Sequence, residues 1–136
     1  MARRLWLAAL FCTLAGGSAR AGNWHVPTSS KNLRNPVPVN EKTLEAGAKV
    51  YTAQCLACHG AQAAGDGEKL RVEYDLRTIL APLTDGELYW KITHGVGKMP
   101  SFAGILNDRD RWLMVNYLRE LGKTLPPAPP EKTAGR

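Results

Sequence analysis

Apolar positions in the middle of the chain recur with a helical period, whereas those near its two ends show no sustained period of two or 3.6. Leu44, Gly47, Ala48 and Tyr51 fall at i, i+3, i+4 and i+7 and form one face that runs directly into Cys55. Asn40 is a good N-cap for this helix, with Val39 and Leu44 placed as a hydrophobic staple. Gly47 is costly inside a helix, so its presence predicts a close crossing with another helix. A second helix is predicted from Asp85 to His94. Thr84 and Glu87 make its capping box, Leu83 and Leu88 its staple, and Gly95 its stop. Leu88 and Ile92 share one face, and Trp90 can reach an adjoining surface. A third helix is expected to start at Asn107, with Asp108 and Asp110 in its positive first turn, and to stop at Gly122 ahead of Pro126. Its stripe of Met114, Tyr117, Leu118 and Leu121, broadened by Trp112, Leu113 and Val115, is too wide for a single neighbour.

No segment alternates as a strand, so the expected fold class is all-α. Two long stretches separate the three helices. Ala61 to Pro82 offers turns and scattered apolar residues without a clear element, and "GVGKMPSFAG" is a loop by composition. A small helical chain with so much loop needs a source of stability beyond its own side chains.

The ends read differently from the middle. Residues 1–21 carry Arg3 and Arg4, an apolar run from Leu5 to Leu14, and the small-residue sequence Ala19-Arg20-Ala21, the pattern of a cleaved secretory signal. The apolar run is short for a bilayer span, so no transmembrane anchor is expected after cleavage. Residues 22–40 read as an extended arm, pinned by Trp24. Residues 124–136 read as a disordered proline-rich tail. That leaves 41–123 as the folded domain, exported to the periplasm.

Removing residues 1–21 takes away Arg3, Arg4 and Arg20, which lowers the formal charge from +6 to +3. A charge so small, with no basic run, gives no reason to expect nucleic acid as a partner. Cys12 leaves with the signal, so the mature chain keeps Cys55 and Cys58. A disulfide closing so short a loop would constrain little of the unfolded chain.

Cys55, Cys58 and His59 spell Cys-x-x-Cys-His, the attachment signature of c-type haem. Thiols one helical turn apart can each add to a vinyl group of the porphyrin while the histidine reaches the iron. The same reaction accounts for both sulfurs, and a buried haem supplies most of the missing core. Two alternatives are weaker. A dithiol redox pair wants a strand before the cysteines and a βαβ context, which are missing. A zinc site needs two further ligands, and His25 and His94 stand in no second cluster.

For the opposite face of the iron, Met99 lies in a loop 40 residues after His59, where Pro100 stiffens the backbone and Gly95 and Gly97 let the chain fold over. His94 or an open position are the alternatives. Met114 has the same thioether but sits on the apolar stripe, where a gap-filling role accounts for it, and His25 reads as an arm residue. Ligation by histidine and methionine leaves no position for substrate and favours ferrous iron, which describes a carrier of single electrons.

With these motifs in order, the sequence resembles the class I c-type cytochromes, in particular the small exported monohaem cytochromes of bacteria. "GAKVYTAQCLACHG" is similar to the family's first helix and attachment segment, "DGELYWKITHGVGKMPSF" to its helix and methionine loop, and "DRWLMVNYLREL" to its last helix. The resemblance implies a cytochrome c-like fold of three main helices around one covalent haem c. Cys55 and Cys58 match the thioether positions, and His59 and Met99 the axial ligands. Gly47 and Tyr51 match the first-helix side of the helix crossing, with Trp112, Val115 and Tyr117 in the facing segment. Family members place a proline after the attachment motif whose carbonyl accepts from the proximal histidine, yet no proline stands between Gly60 and Ala81. Tyr74-Asp75-Leu76 resembles the segment with its proline replaced, so another carbonyl is expected to hold His59. Arg71, Arg77, Trp90 and Lys98 are candidate propionate contacts. The implied function is electron transfer, as a free carrier or as the haem subunit of a redox complex with a dehydrogenase, oxidase or reductase. A haem enzyme or sensor with a displaceable methionine is the alternative.

Overall fold

The computed structural model describes residues 25–69 and 75–126. The expected signal segment, Trp24, Arg71, Tyr74 and the chain beyond Pro126 lie outside the described residues. The order of elements is a 3₁₀ turn at Thr28–Asn32, then α1 (Glu41–Gln54), α2 (Leu56–His59), α3 (Leu76–Leu80), α4 (Asp85–His94) and α5 (Asp108–Thr124). Among the described residues there is no strand beyond the isolated bridge between Val96 and Met99.

The helices begin where their polar caps place them. Asn40 accepts from the Thr43 N–H and Thr43 Oγ1 accepts from the Asn40 N–H, a reciprocal cap for α1. Val39 stays 62% exposed. The chain is turned into the helix by Thr43 Oγ1, which donates to the Pro38 carbonyl at 2.7 Å, so the expected Val39 staple contributes little. Thr84 and Glu87 cap α4 in the same reciprocal way, and Asn107 accepts from the Asp110 N–H to start α5.

α1 crosses α5 at Gly47. A Cβ there would overlap the Leu113 carbonyl and the Tyr117 Cβ, so only glycine permits this approach. Tyr51 and Tyr117 complete the crossing, with ring centroids 5.3 Å apart. Trp112 and Val115 lie on α5, the facing segment that the resemblance implies, but not on the side of it that meets Gly47. At 100° per residue Leu113 and Tyr117 share the α1 side, and positions 112 and 115 lie well around the helix from it. Trp112 stacks on Tyr89 of α4 at 4.0 Å instead.

α5 also runs past Gly122 to Thr124. Gly122 keeps a helical backbone, Leu80 lies close against it, and the Leu125 N–H still reaches the Leu121 carbonyl at 3.0 Å. Among its described residues, the stretch from Ala61 to Pro82 holds one short helix, α3, which Asp75 caps by accepting from the Arg77 N–H. The N-terminal arm is docked as well as partly helical. Asn116 of α5 is buried, donates to the Val37 carbonyl and accepts from Asn35, whose amide also donates to the Trp112 carbonyl.

Candidate haem site

The site is built where α1 ends. The Cys55 N–H still reaches Tyr51, but the chain bends there and re-enters a single helical turn, in which the Cys58 and His59 N–H groups both point at the Cys55 carbonyl (3.1 and 2.8 Å). One turn therefore gathers both thiols and the imidazole, all half-buried. Burial, and secondarily the neighbouring Cys58, pushes the Cys55 thiol up to about 12, so it remains protonated at neutral pH. The Cys55 sulfur lies 4.0 Å from the Met114 sulfur, which is 1% exposed. Met114 is thus a core residue beneath the attachment turn.

His59 is held neutral, since burial lowers its tendency to take a second proton. Its Nδ1 is buried and has no hydrogen-bond partner among the described residues. The expected carbonyl acceptor is therefore not found among them. An imidazole buried at one nitrogen and supported by two thiols on the same turn fits a covalently held haem.

The loop after His59 closes the turn. The N–H groups of Gly65, Gly67 and Lys69 donate to the carbonyls of His59, Cys58 and Ala57 at 3.0, 3.3 and 2.8 Å, which satisfies the acceptors that a helix end leaves open. Gly67 lies so close to Ala57 and Cys58 that a Cβ would overlap their backbone. The sequence offers turns between Ala61 and Pro82, but it does not announce this approach. Tyr51 donates to the Gly60 carbonyl at 2.7 Å; burial pushes its phenol upward, so it stays a donor.

Met99 comes from the loop after α4. It is half-buried and packs against the same apolar cluster as Cys55 and Leu56. Gly95 ends α4 at φ +61°, and the backbone then folds back through two hydrogen bonds between Val96 and Met99 (3.0 and 2.9 Å). His94 is exposed, contacts the Trp90 carbonyl through Nδ1 at 2.9 Å and stacks on the Trp90 ring at 4.2 Å. Arg77 is paired with Asp75, Lys98 is exposed, and His25 is exposed on the arm. Among the described residues no group of three or more His, Cys, Asp or Glu side chains is arranged to hold a metal ion by itself.

Residues 42–118 match the family described as cytochrome c oxidase, cbb3-type, subunit III, which is more than half of the chain. The chain belongs to this family of c-type cytochromes. Cytochrome c6 of Picosynechococcus sp. is 38% identical over 83 residues, 55% of this chain and 70% of that protein. Among solved structures, a chain of the Kuenenia stuttgartiensis reducing HAO-like protein complex is 28% identical with a TM-score of 0.53. That match covers 65% of the present chain, which spans only about half (49%) of that one. Cytochrome c6 of the diatom Phaeodactylum tricornutum is 28% identical with a TM-score of 0.47, over 59% of this chain and 94% of that one. The protein is a small all-α class I cytochrome that carries a covalent c-type haem and transfers electrons. No helix among the described residues is long and apolar enough to cross a membrane.

Proposed function

We propose that Cys55 and Cys58 hold the haem through thioethers, that His59 and Met99 are its axial ligands, and that the cytochrome passes single electrons between exported redox proteins. The observation that carries this reading is convergence. The attachment turn and the Met99 loop come from chain segments 40 residues apart and pack on one apolar cluster. When bound, the haem supplies a one-electron couple whose potential a thioether ligand raises relative to two nitrogen ligands.

The residues of the chain have narrower tasks. Tyr51 and the glycine loop hold the attachment turn in one conformation, and the neutral His59 ring is available as a ligand in both oxidation states. The Val96–Met99 backbone pair fixes where the thioether is delivered. With residues 1–21 as a cleaved signal, 22–40 as a docked arm and 41–123 as the working domain, the mature protein would act in the periplasm. Its partners would be a dehydrogenase, an oxidase or a reductase, which it serves as a carrier or a haem subunit. The solved relative taken from a protein complex supports the second role.

The test is an absorption spectrum of the exported protein, oxidised and reduced, beside Met99→Ala. The sulfur-to-iron band in the red is expected in the native ferric form and absent from the variant. A native protein without the band, or a variant that keeps it, refutes the ligand assignment. Carbon monoxide bound by native ferrous protein at neutral pH would instead favour an enzyme or sensor.

A further inference from the structure

Arg111 is 6% exposed, an unusual position for a side chain that is always charged. It is not a solvated face of α5. Nη1 donates to the Leu106 carbonyl at 2.6 Å and lies 3.4 Å from those of Phe102 and Ala103. Nη2 donates to the Tyr89 hydroxyl at 3.1 Å and pairs with Asp108, and the guanidinium carbon sits 5.3 Å from the Tyr89 ring centre. Tyr89 in turn donates to Asp108 at 2.9 Å and stacks on Trp112.

All three carbonyls belong to the segment that follows Met99. Its other side is fixed to the end of α4, where the N–H groups of Phe102 and Ala103 reach the Ile92 and Thr93 carbonyls (3.3 and 3.2 Å) and the Ser101 hydroxyl donates to Thr93 at 2.7 Å. Only Pro100 and Ser101 separate Met99 from Phe102, and proline removes one backbone freedom of that short link.

We propose that Arg111 is a positioning residue for the distal ligand, a fork of donors on α5 that holds the 102–106 backbone and through it keeps Met99 at the iron. This rests on the reading of Met99 as the axial ligand. A lysine presents one compact charge and cannot occupy the same set of acceptors. Removing the guanidinium should therefore loosen the loop while leaving the helices intact.

The experiment follows the red sulfur-to-iron band of the ferric holoprotein against pH, with far-ultraviolet circular dichroism at each point, for native protein, R111K, R111Q and Y89F. In R111Q the band is expected to disappear at a pH about one unit lower, a tenfold easier displacement, with helical signal unchanged and a lower reduction potential. R111K should fall between, and Y89F closer to native. If R111Q does not mature, Y89F and D108N carry the same test. A native midpoint in these variants overturns the proposal, as does band loss that coincides with loss of helix. A band missing from native protein, or kept by Met99→Ala, removes the ligand reading and the proposal with it, a result distinct from an unmoved midpoint.

Discussion

The loop after His59 and the loop around Met99 are held by opposite means. Residues 60–69 are fixed by their own backbone: three loop N–H groups cap the carbonyls of the attachment turn, and Gly67 lets the two strands of chain touch. Residues 95–106 also cap a helix end, that of α4, but the carbonyls of Phe102, Ala103 and Leu106 lie against Arg111. Main-chain capping depends on conformation, which many side chains tolerate except at the glycines. A clamp made by one guanidinium depends on one residue. The loop after His59 is thus built to be rigid, and under the proposed ligation the Met99 loop is held by a contact that can be weakened without dismantling the Cys55–His59 turn.

The strongest way to break this contrast is Gly67→Ala. Its Cβ would overlap the Ala57 and Cys58 backbone, which cannot move without disturbing the turn that holds Cys55 and Cys58, the proposed thioether positions. We expect a loss of about 3 kcal/mol, the upper range for overpacking, with a lower yield of holoprotein; chemical denaturation followed by helical signal measures it. A loss below about 0.5 kcal/mol, the range of ordinary surface changes, would mean that the loop slides easily and that its rigidity has been overstated. Tyr51→Phe is the milder probe of the same loop. It removes the one described side-chain bond to Gly60, but that carbonyl keeps the Ala63 N–H at 3.2 Å, so a cost of about 1 kcal/mol is expected.

What the chain disclosed in advance follows the same division. α1, α4 and α5 were legible because period and caps agree at Asn40, Thr84, Glu87 and Asn107. Gly47 announced a crossing, since no other role explains glycine there. The Cys55, Cys58 and His59 spacing pointed to one chemistry, and the family match agrees with it. α3 was not legible because five residues display no period, and its Asp75 cap is a common turn residue. Arg111 was hidden for a different reason: a charged residue on a helix reads as solvated until its carbonyl partners, distant from it in sequence, are known. The arm's docking was hidden likewise, since Asn35 and Asn116 are 81 positions apart.

A second arginine sharpens the comparison. Arg119 lies eight positions after Arg111 on α5 and bonds to the Leu80 and Leu83 carbonyls and to Asp85 at 2.7 Å, bracing the chain just before α4. Its side chain is 28% exposed against 7% for Arg111, so water can replace part of what it gives. Arg119→Gln should cost about 1 kcal/mol in thermal or urea unfolding, and should leave the red ferric band and its pH midpoint unmoved. A shifted midpoint would show that both arginines govern the ligand loop, and that the distinction between the two clamps is false.

The smallest effect is a pH dependence at the start of α4. The Thr84 N–H, opposed by burial and aided by Lys31, holds the Glu87 carboxyl below the usual carboxylate range, and Lys31 at 3.8 Å ties it to the N-terminal 3₁₀ turn. Because the folded value is the depressed one, its stabilising contribution is complete above the unfolded value of about 4.3 and disappears as pH falls through the folded value. Glutamine can still accept from the cap, so Glu87→Gln loses only the charged share of the interaction. Native and variant urea midpoints should therefore differ slightly at pH 7 and converge in acid, with the native curve the steeper between the two. Parallel curves would mean that Glu87 acts through packing alone, and that the start of α4, like the haem attachment loop, is held by geometry instead of charge.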